Sequence, residues 1–146
     1  MKAWKTILSP TDFSENSRLG LETARDLALE RRARLVVLHV VVDAPPALLP
    51  DVAGFRYDEI IESLRERADK SLPELLPEEK REGLDVVFRT EFGVPHAEII
   101  RVAEDMGVDL IVMPTHGRTG ALHLLIGSVA EKVIRKAPCP VLVVRG

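Results

Sequence analysis

The chain has 146 residues, 46% of them hydrophobic, which is the size of one domain spanning residues 1–146 and enough apolar surface for a core without disulfides or structural metal. Its 20 basic and 23 acidic residues give a formal net charge of −3 and are scattered, so the basic block that attracts nucleic acid or an anionic membrane surface is missing. The longest strongly apolar runs, such as residues 35–42, are far shorter than the roughly 20 residues of a spanning helix, and Met1-Lys2-Ala3-Trp4-Lys5 leads into a strand with no signal-peptide pattern, so a cytoplasmic location is expected.

Residues 5–9 (KTILS) are a short apolar run stopped by Pro10, and from Ser14 to about Arg31 apolar residues recur at Leu19, Leu21, Ala24, Leu27 and Ala28. This is a strand followed by an amphipathic helix. Asp12, with Glu15 three residues on, and Ser14 are competing N-cap signals that leave the helix start open by one turn. Residues 34–42 (RLVVLHVVV) are nearly continuous aliphatic sequence, the pattern of a central strand covered on both faces and therefore of a parallel sheet. Pro45, Pro46 and Pro50 mark a surface loop. A helix over about 57–76 follows, with Ile60, Ile61, Leu64, Ala68, Leu72 and Leu75 at helical spacing and Pro73 placed to kink or stop it.

Residues 85–91 (DVVFRTE) predict a third strand. Gly93 and Pro95 then open a helix that turns Ile99, Ile100, Val102 and Ala103 inward and closes at Gly107. A fourth strand over 110–113, a loop from Pro114 to about Gly127, a helix over 128–136 and a fifth strand over 140–144 complete the chain. The alternation predicts an α/β fold, a five-stranded parallel sheet with right-handed crossovers and helices on both faces. Ligands of such sheets bind outside the carboxyl ends of the strands where the chain reverses direction, here the loops after strands one and four.

Met113-Pro114-Thr115-His116-Gly117-Arg118-Thr119-Gly120 follows strand four, and Gly127-Ser128 opens the next helix. Glycines allow close approach to an anion, and the N–H groups of Ser128, Val129 and Ala130 at a helix start point at whatever sits there. Ser128 can add a hydroxyl donor and Arg118 a mobile positive charge. The same residues are compatible with a loop merely shaped by Gly117 and Gly120 and an ordinary N-cap at Ser128.

Elsewhere the polar residues suggest no second site. Cys139, between Pro138 and Pro140 with no other thiol in the chain, reads as a small buried apolar residue. His39 reads as a satisfied core or edge histidine, and His96 and His123 as surface or helix-start residues. His116 adjoins the cradle but has no carboxylate or cysteine partner at a recognisable spacing. A Walker A sequence, a dinucleotide fingerprint and a metal-ligand motif are missing, so any hydrolysis is expected to be slow.

Residues 7–14 (ILSPTDFS), Val94-Pro95, Asp109-Leu110-Ile111-Val112-Met113, the stretch through Ser128 and Ala137-Pro138-Cys139-Pro140-Val141-Leu142-Val143-Val144 closely resemble, in order, the signature of the universal stress protein family. The resemblance covers essentially the whole chain and implies a three-layer Rossmann-like fold of the adenine nucleotide alpha hydrolase-like type. The family's nucleotide-binding branch carries Gly, two residues, Gly, nine residues, then Gly followed by Ser or Thr. Those positions hold Pro114, Gly117, Gly127 and Ser128, so the pattern departs at Pro114, which has no N–H and adds a ring.

By the same resemblance Pro10, Thr11 and Asp12 line the adenosine end, with Asp12 near ribose or a metal, and Val40 contacts adenine through its backbone. On the residues alone Asp12 serves equally as a helix cap. The implied ligand is ATP or another adenine nucleotide, with Mg²⁺ or Mn²⁺ on its phosphates. The implied assembly is a homodimer through the last strand, Pro140 to Val144, whose apolar edge would otherwise stay unpaired. Three functions follow from this reading: a nucleotide-binding sensor or switch of the stress response, an interaction module of the same fold that binds no nucleotide, and a slow ATPase.

Overall fold

The computed structural model describes residues 2–43, 56–116 and 126–145. Strands β1 (Thr6–Pro10), β2 (Arg34–Val42), β3 (Asp85–Gly93), β4 (Leu110–Pro114) and β5 (Val141–Val144) form one parallel sheet in the order β3-β2-β1-β4-β5. Helices α1 (Glu15–Arg31), α2 (Tyr57–Glu74), α3 (Pro95–Asp105) and α4 (Ser128–Lys136) alternate with them, and a 3-10 turn (Glu78–Lys80) precedes β3. This is the α/β, Rossmann-like arrangement that the alternating pattern predicts.

The aliphatic run of β2 explains its central place. Leu35, Val36, Val37 and Leu38 are all inaccessible to solvent, which requires apolar cover on both faces. Successive side chains point to opposite sides, so the run feeds two cores. Val36, Leu38 and Val40 join Leu8, Ile111 and Met113 beneath Ile99 and Val102 of α3 and Ala130 and Val133 of α4. Leu35 and Val37 join Ile7, Leu110 and Val112 beneath Leu21, Ala24 and Ala28 of α1 and Leu72 of α2. The chain therefore steps outward from β1 to β3 with α1 and α2 on one face, then restarts at β4 beside β1 with α3 and α4 on the other. Between β1 and β4 lies the switch point of the sheet.

Two prolines open that switch point. The N–H groups of Ile111 and Thr115 turn to β5, donating to Pro140 O at 3.0 Å and Val144 O at 3.1 Å, so the Pro114 nitrogen faces β1. Thr11 N–H turns to β2, donating to Leu38 O at 2.8 Å, so the Pro10 nitrogen faces β4. Neither proline carries an N–H, and the β1–β4 ladder stops after the Ile7↔Leu110 and Leu8↔Ile111 pairs. The strands part at their carboxyl ends for want of donors.

Most departures from the expected boundaries have local causes. β3 runs to Gly93 rather than Glu91 because Phe92 and Gly93 stay in register with Val41 and Val42, and Asp43 N–H closes the ladder on Gly93 O at 2.9 Å. α2 ends at Glu74 rather than residue 76: after Pro73 the N–H groups of Leu75 and Leu76 bond back three residues, to Leu72 O and Pro73 O, tightening the last turn. Ile100, expected inward, is only half-buried, whereas Ile99, Val102 and Ala103 are buried. Both cap signals at α1 are used: Asp12 Oδ1 accepts the Ser14 N–H at 3.0 Å to close a turn, and Ser14 Oγ caps the helix by accepting the Ser17 N–H at 3.2 Å. Ser14→Ala is expected to lower stability by about 1 kcal/mol, read as a shifted denaturant midpoint with an unchanged slope.

Among the described residues no helix is long and apolar enough to cross a membrane.

Candidate functional site

A cleft of about 860 Å³ opens at the carboxyl ends of the strands, above the parted ends of β1 and β4. Its wall brings together Pro10, Thr11 and Asp12 after β1, Val40 from β2, Met113, Pro114 and His116 from β4 and its exit, and Gly127, Ser128, Val129 and Ala130 at the start of α4. Gly117 and Arg118, expected in the same cradle, lie outside the described residues, as do Gly120 and His123.

The start of α4 supplies the donors. Gly127 is the N-cap in extended conformation, its carbonyl accepts the Glu131 N–H at 2.9 Å, and among the described residues no side chain caps the helix. The N–H groups of Ser128, Val129 and Ala130 thus have no acceptor among the described residues, and the helix dipole adds partial positive charge there. Gly127 N–H donates to Thr115 O at 2.6 Å, tying the helix start to the exit of β4. A Cβ at Gly127 would lie 3.0 Å from that oxygen, so only glycine fits without displacing one or the other. The Pro114 ring leans on α1: its Cδ would be 3.3 Å from a Cβ placed at Gly20. Pro114 is part of the wall of the cleft, whose volume of about 860 Å³ is the space left with the ring in place.

Opposite, the β1–α1 turn presents Asp12. Thr11 Oγ1 shares a hydrogen bond with Ser17 Oγ at 3.0 Å and accepts the Phe13 N–H at 3.0 Å. Phe13 has φ 65, in the left-handed region. His39 Nδ1 lies 2.8 Å from Thr11 O, and its ring is 4.6 Å from that of Phe13. The histidine is satisfied within the structure, as its place in an apolar strand suggests. His116 Nδ1 meets Thr115 Oγ1 at 2.9 Å, while its buried Nε2 has no partner among the described residues.

A model of the universal stress protein family matches residues 3–145. The chain belongs to the universal stress protein family. Universal stress protein MJ0577 of Methanocaldococcus jannaschii is 35% identical over 97% of this chain and 95% of its own. The solved structure of MJ0577 superposes with a TM-score of 0.85, covering 99% of this chain and 98% of that one. Two more distant structures share the fold. The universal stress protein from Archaeoglobus fulgidus in complex with dAMP is 22% identical, with a TM-score of 0.64 over 97% of this chain and 98% of its own. A universal stress protein in complex with cAMP is 23% identical, with a TM-score of 0.64 over 98% of each chain.

One wall of the cleft in this family member was not anticipated. Leu64, Arg67, Ala68 and Ser71 of α2 line it. Their spacing is one helical stripe, legible in the sequence, but nothing in a sequence says that this stripe overhangs the crevice rather than the sheet. Among the described lining residues, Asp12 and Arg67 are the acidic and basic side chains. Cys139 is half-buried, and burial together with the nearby Asp109 charge pushes its thiol pKa up, which keeps it protonated and unreactive. His96 stands at the second position of α3, outside the cleft wall.

Proposed function

We propose that this universal stress protein binds ATP or a closely related adenine nucleotide in the cytoplasm and acts as a ligand-responsive switch of the stress response. One observation carries the reading: three successive amide donors, on Ser128, Val129 and Ala130, open into a cleft at a switch point, beside a glycine whose Cβ would press on Thr115 O. Unpaired N–H groups at a helix start favour an anion, and phosphate suits their geometry. Asp12 then meets the ribose, and Val40 at the end of β2 meets the adenine. Pro114 has no N–H to offer, so the phosphate donors come from α4.

A divalent ion, Mg²⁺ or Mn²⁺, would arrive on the phosphates and neutralise their charge. Asp12 is the carboxylate in the described wall suited to it, and no group of three or more potential ligands is placed to hold a metal without phosphate among the described residues. Among the described residues no side chain is placed to activate water, which favours binding over turnover. The likeness to the cAMP and dAMP complexes supports the fold; the nucleotide reading stands on the cleft itself.

Calorimetric titration with ATP and Mg²⁺ tests it. Saturable binding is expected, and no heat up to millimolar nucleotide would leave an interaction module of the same fold as the better account. The outer edge of β5, unpaired among the described residues, supports a homodimer through that strand, because Leu142 (39% exposed) and Ile134 of α4 (42% exposed) leave apolar surface beside it. Light scattering is expected to give a dimer for the native chain and a monomer for Leu142→Lys.

A further inference from the structure

We propose that His39 is a positioning residue for ligand recognition, clamping the strained turn after β1 so that the Asp12 carboxylate is held toward the cleft; the ligand half of this rests on the nucleotide reading above. The outlier that motivates it is Phe13. Two non-glycine residues among those described have positive φ, Phe13 and Arg32. Arg32 is the C-cap of α1, where a left-handed residue commonly ends a helix. Phe13 has no such excuse. A bulky side chain is strained in that region and persists there only where its surroundings over-determine it, which happens most at ligand clamps.

His39 does the determining from both sides of Asp12. Thr11 O is a carbonyl and can only accept, so Nδ1 of His39 carries the hydrogen and donates it across 2.8 Å. On the other side of Asp12, the Phe13 ring packs at 46° against the imidazole, with centroids 4.6 Å apart. The residues immediately before and after Asp12 are therefore gripped by one side chain of the neighbouring strand. Local bonds finish the turn: Phe13 N–H to Thr11 Oγ1 and Ser14 N–H to Asp12 Oδ1, both 3.0 Å.

Packing alone does not call for a histidine here. Every other residue of β2 after Arg34 is aliphatic, and His39 is two residues beyond Val37, on the strand side that faces α1 and α2. An aliphatic side chain would fill that position in keeping with its neighbours. What it could not do is satisfy Thr11 O and fix the carbonyl that sets the direction of Asp12.

The test uses the full chain with His39→Leu, which removes the donor, and His39→Asn, which keeps an N–H at the same distance from the backbone. The ligands are ATP and 2′,3′-dideoxy-ATP, which lacks the hydroxyls Asp12 would accept from. Wild type is expected to prefer ATP by about tenfold, the worth of a charge-assisted hydrogen bond. His39→Leu is expected to bind both with nearly the affinity of wild type for the dideoxy compound, and His39→Asn to restore the preference. Retention of the wild-type ratio in His39→Leu, or equal weakening of both ligands, would overturn the assignment.

A second arm needs no nucleotide: amide hydrogen exchange at Phe13 and Ser14 is expected to rise about tenfold in His39→Leu, with the core amides of β4 unchanged. Unchanged exchange at those two amides overturns the clamp. Faster exchange in a protein whose wild type binds neither nucleotide confirms the clamp and rejects the nucleotide reading instead.

Discussion

Gly127→Val is expected to lower the affinity for ATP by about a hundredfold or more while leaving the fold in place. Its Cβ would lie 3.0 Å from Thr115 O, a backbone atom that cannot swing aside, with His116 Cα in ordinary contact at 3.5 Å. The start of α4 must then tilt away from the exit of β4, breaking the Gly127 N–H to Thr115 O bond and turning the three free amides off the phosphates. Hydrogen bonds to a charged group contribute about 1.5–3 kcal/mol each, so losing two suffices for the expected loss. Gly127→Ala, with the same Cβ but no branch, is expected to lose about tenfold. Titration checks both, alongside a thermal melt, because Ala130 and Val133 pack α4 on the core and keep the helix seated. A valine variant that binds as tightly as the native chain would show that the amides of α4 are not the phosphate donors.

The largest effect on stability is expected at Asp109, at the amino edge of the sheet and far from the cleft. Its Oδ2 accepts the N–H groups of Lys5 and Thr6 at 2.9 and 3.1 Å, and Lys2 Nζ lies 3.1 Å from Oδ1. Through it the segment before β1 is fastened to the start of β4. Lys2 is exposed, so the surface ion pair contributes little beside the two backbone bonds. Asp109→Ala strands two backbone donors in a part-buried site and is expected to cost about 3 kcal/mol, lowering Tm by roughly 10 °C.

The same carboxyl sets an acid limit. Burial alone would raise its pKa, but the hydrogen bonds from Lys5, Lys2 and Thr6 outweigh that and hold it below the ordinary value. A depressed native pKa means that the unfolded chain binds the proton more readily. The stabilisation is therefore complete above the unfolded value of about 4 and fades as pH falls through it toward the native one. Asp109→Asn is expected to be less stable at pH 7 and to show a flatter loss of stability below about pH 5, measured by denaturant titration across that range.

How much of this was legible in the sequence depended on whether one chemical cause dominated locally. β2 was readable to the residue because its aliphatic run admits no other role, and α4 because a glycine and a serine precede a strongly amphipathic stretch. The switch point followed from the strand–helix alternation, and with it the meeting of the loops after β1 and β4 at one cleft; Val40 entered only through the family resemblance.

Other features depend on residues distant in the chain. Pro10 and Pro114 look like ordinary strand stops until pairing parity shows both nitrogens facing the same gap. Phe13 gives no sign of a positive φ, since neither glycine nor asparagine stands in Thr11-Asp12-Phe13-Ser14, and the histidine that holds it is in another strand. Arg67 and Ser71 carry no mark of a site in the sequence, because the path of α2 over the crevice is set by its packing on β2 and β3.

The central claim is most directly tested by following the backbone amide resonances of isotope-labelled protein as ATP and Mg²⁺ are added. The signals of Ser128, Val129 and Ala130 are expected to move together and saturate, with those of Asp12 and Val40 following the same curve. Titration to millimolar nucleotide that leaves the three α4 amides where they began, or that moves only residues outside the β1–β4 crevice, would contradict it.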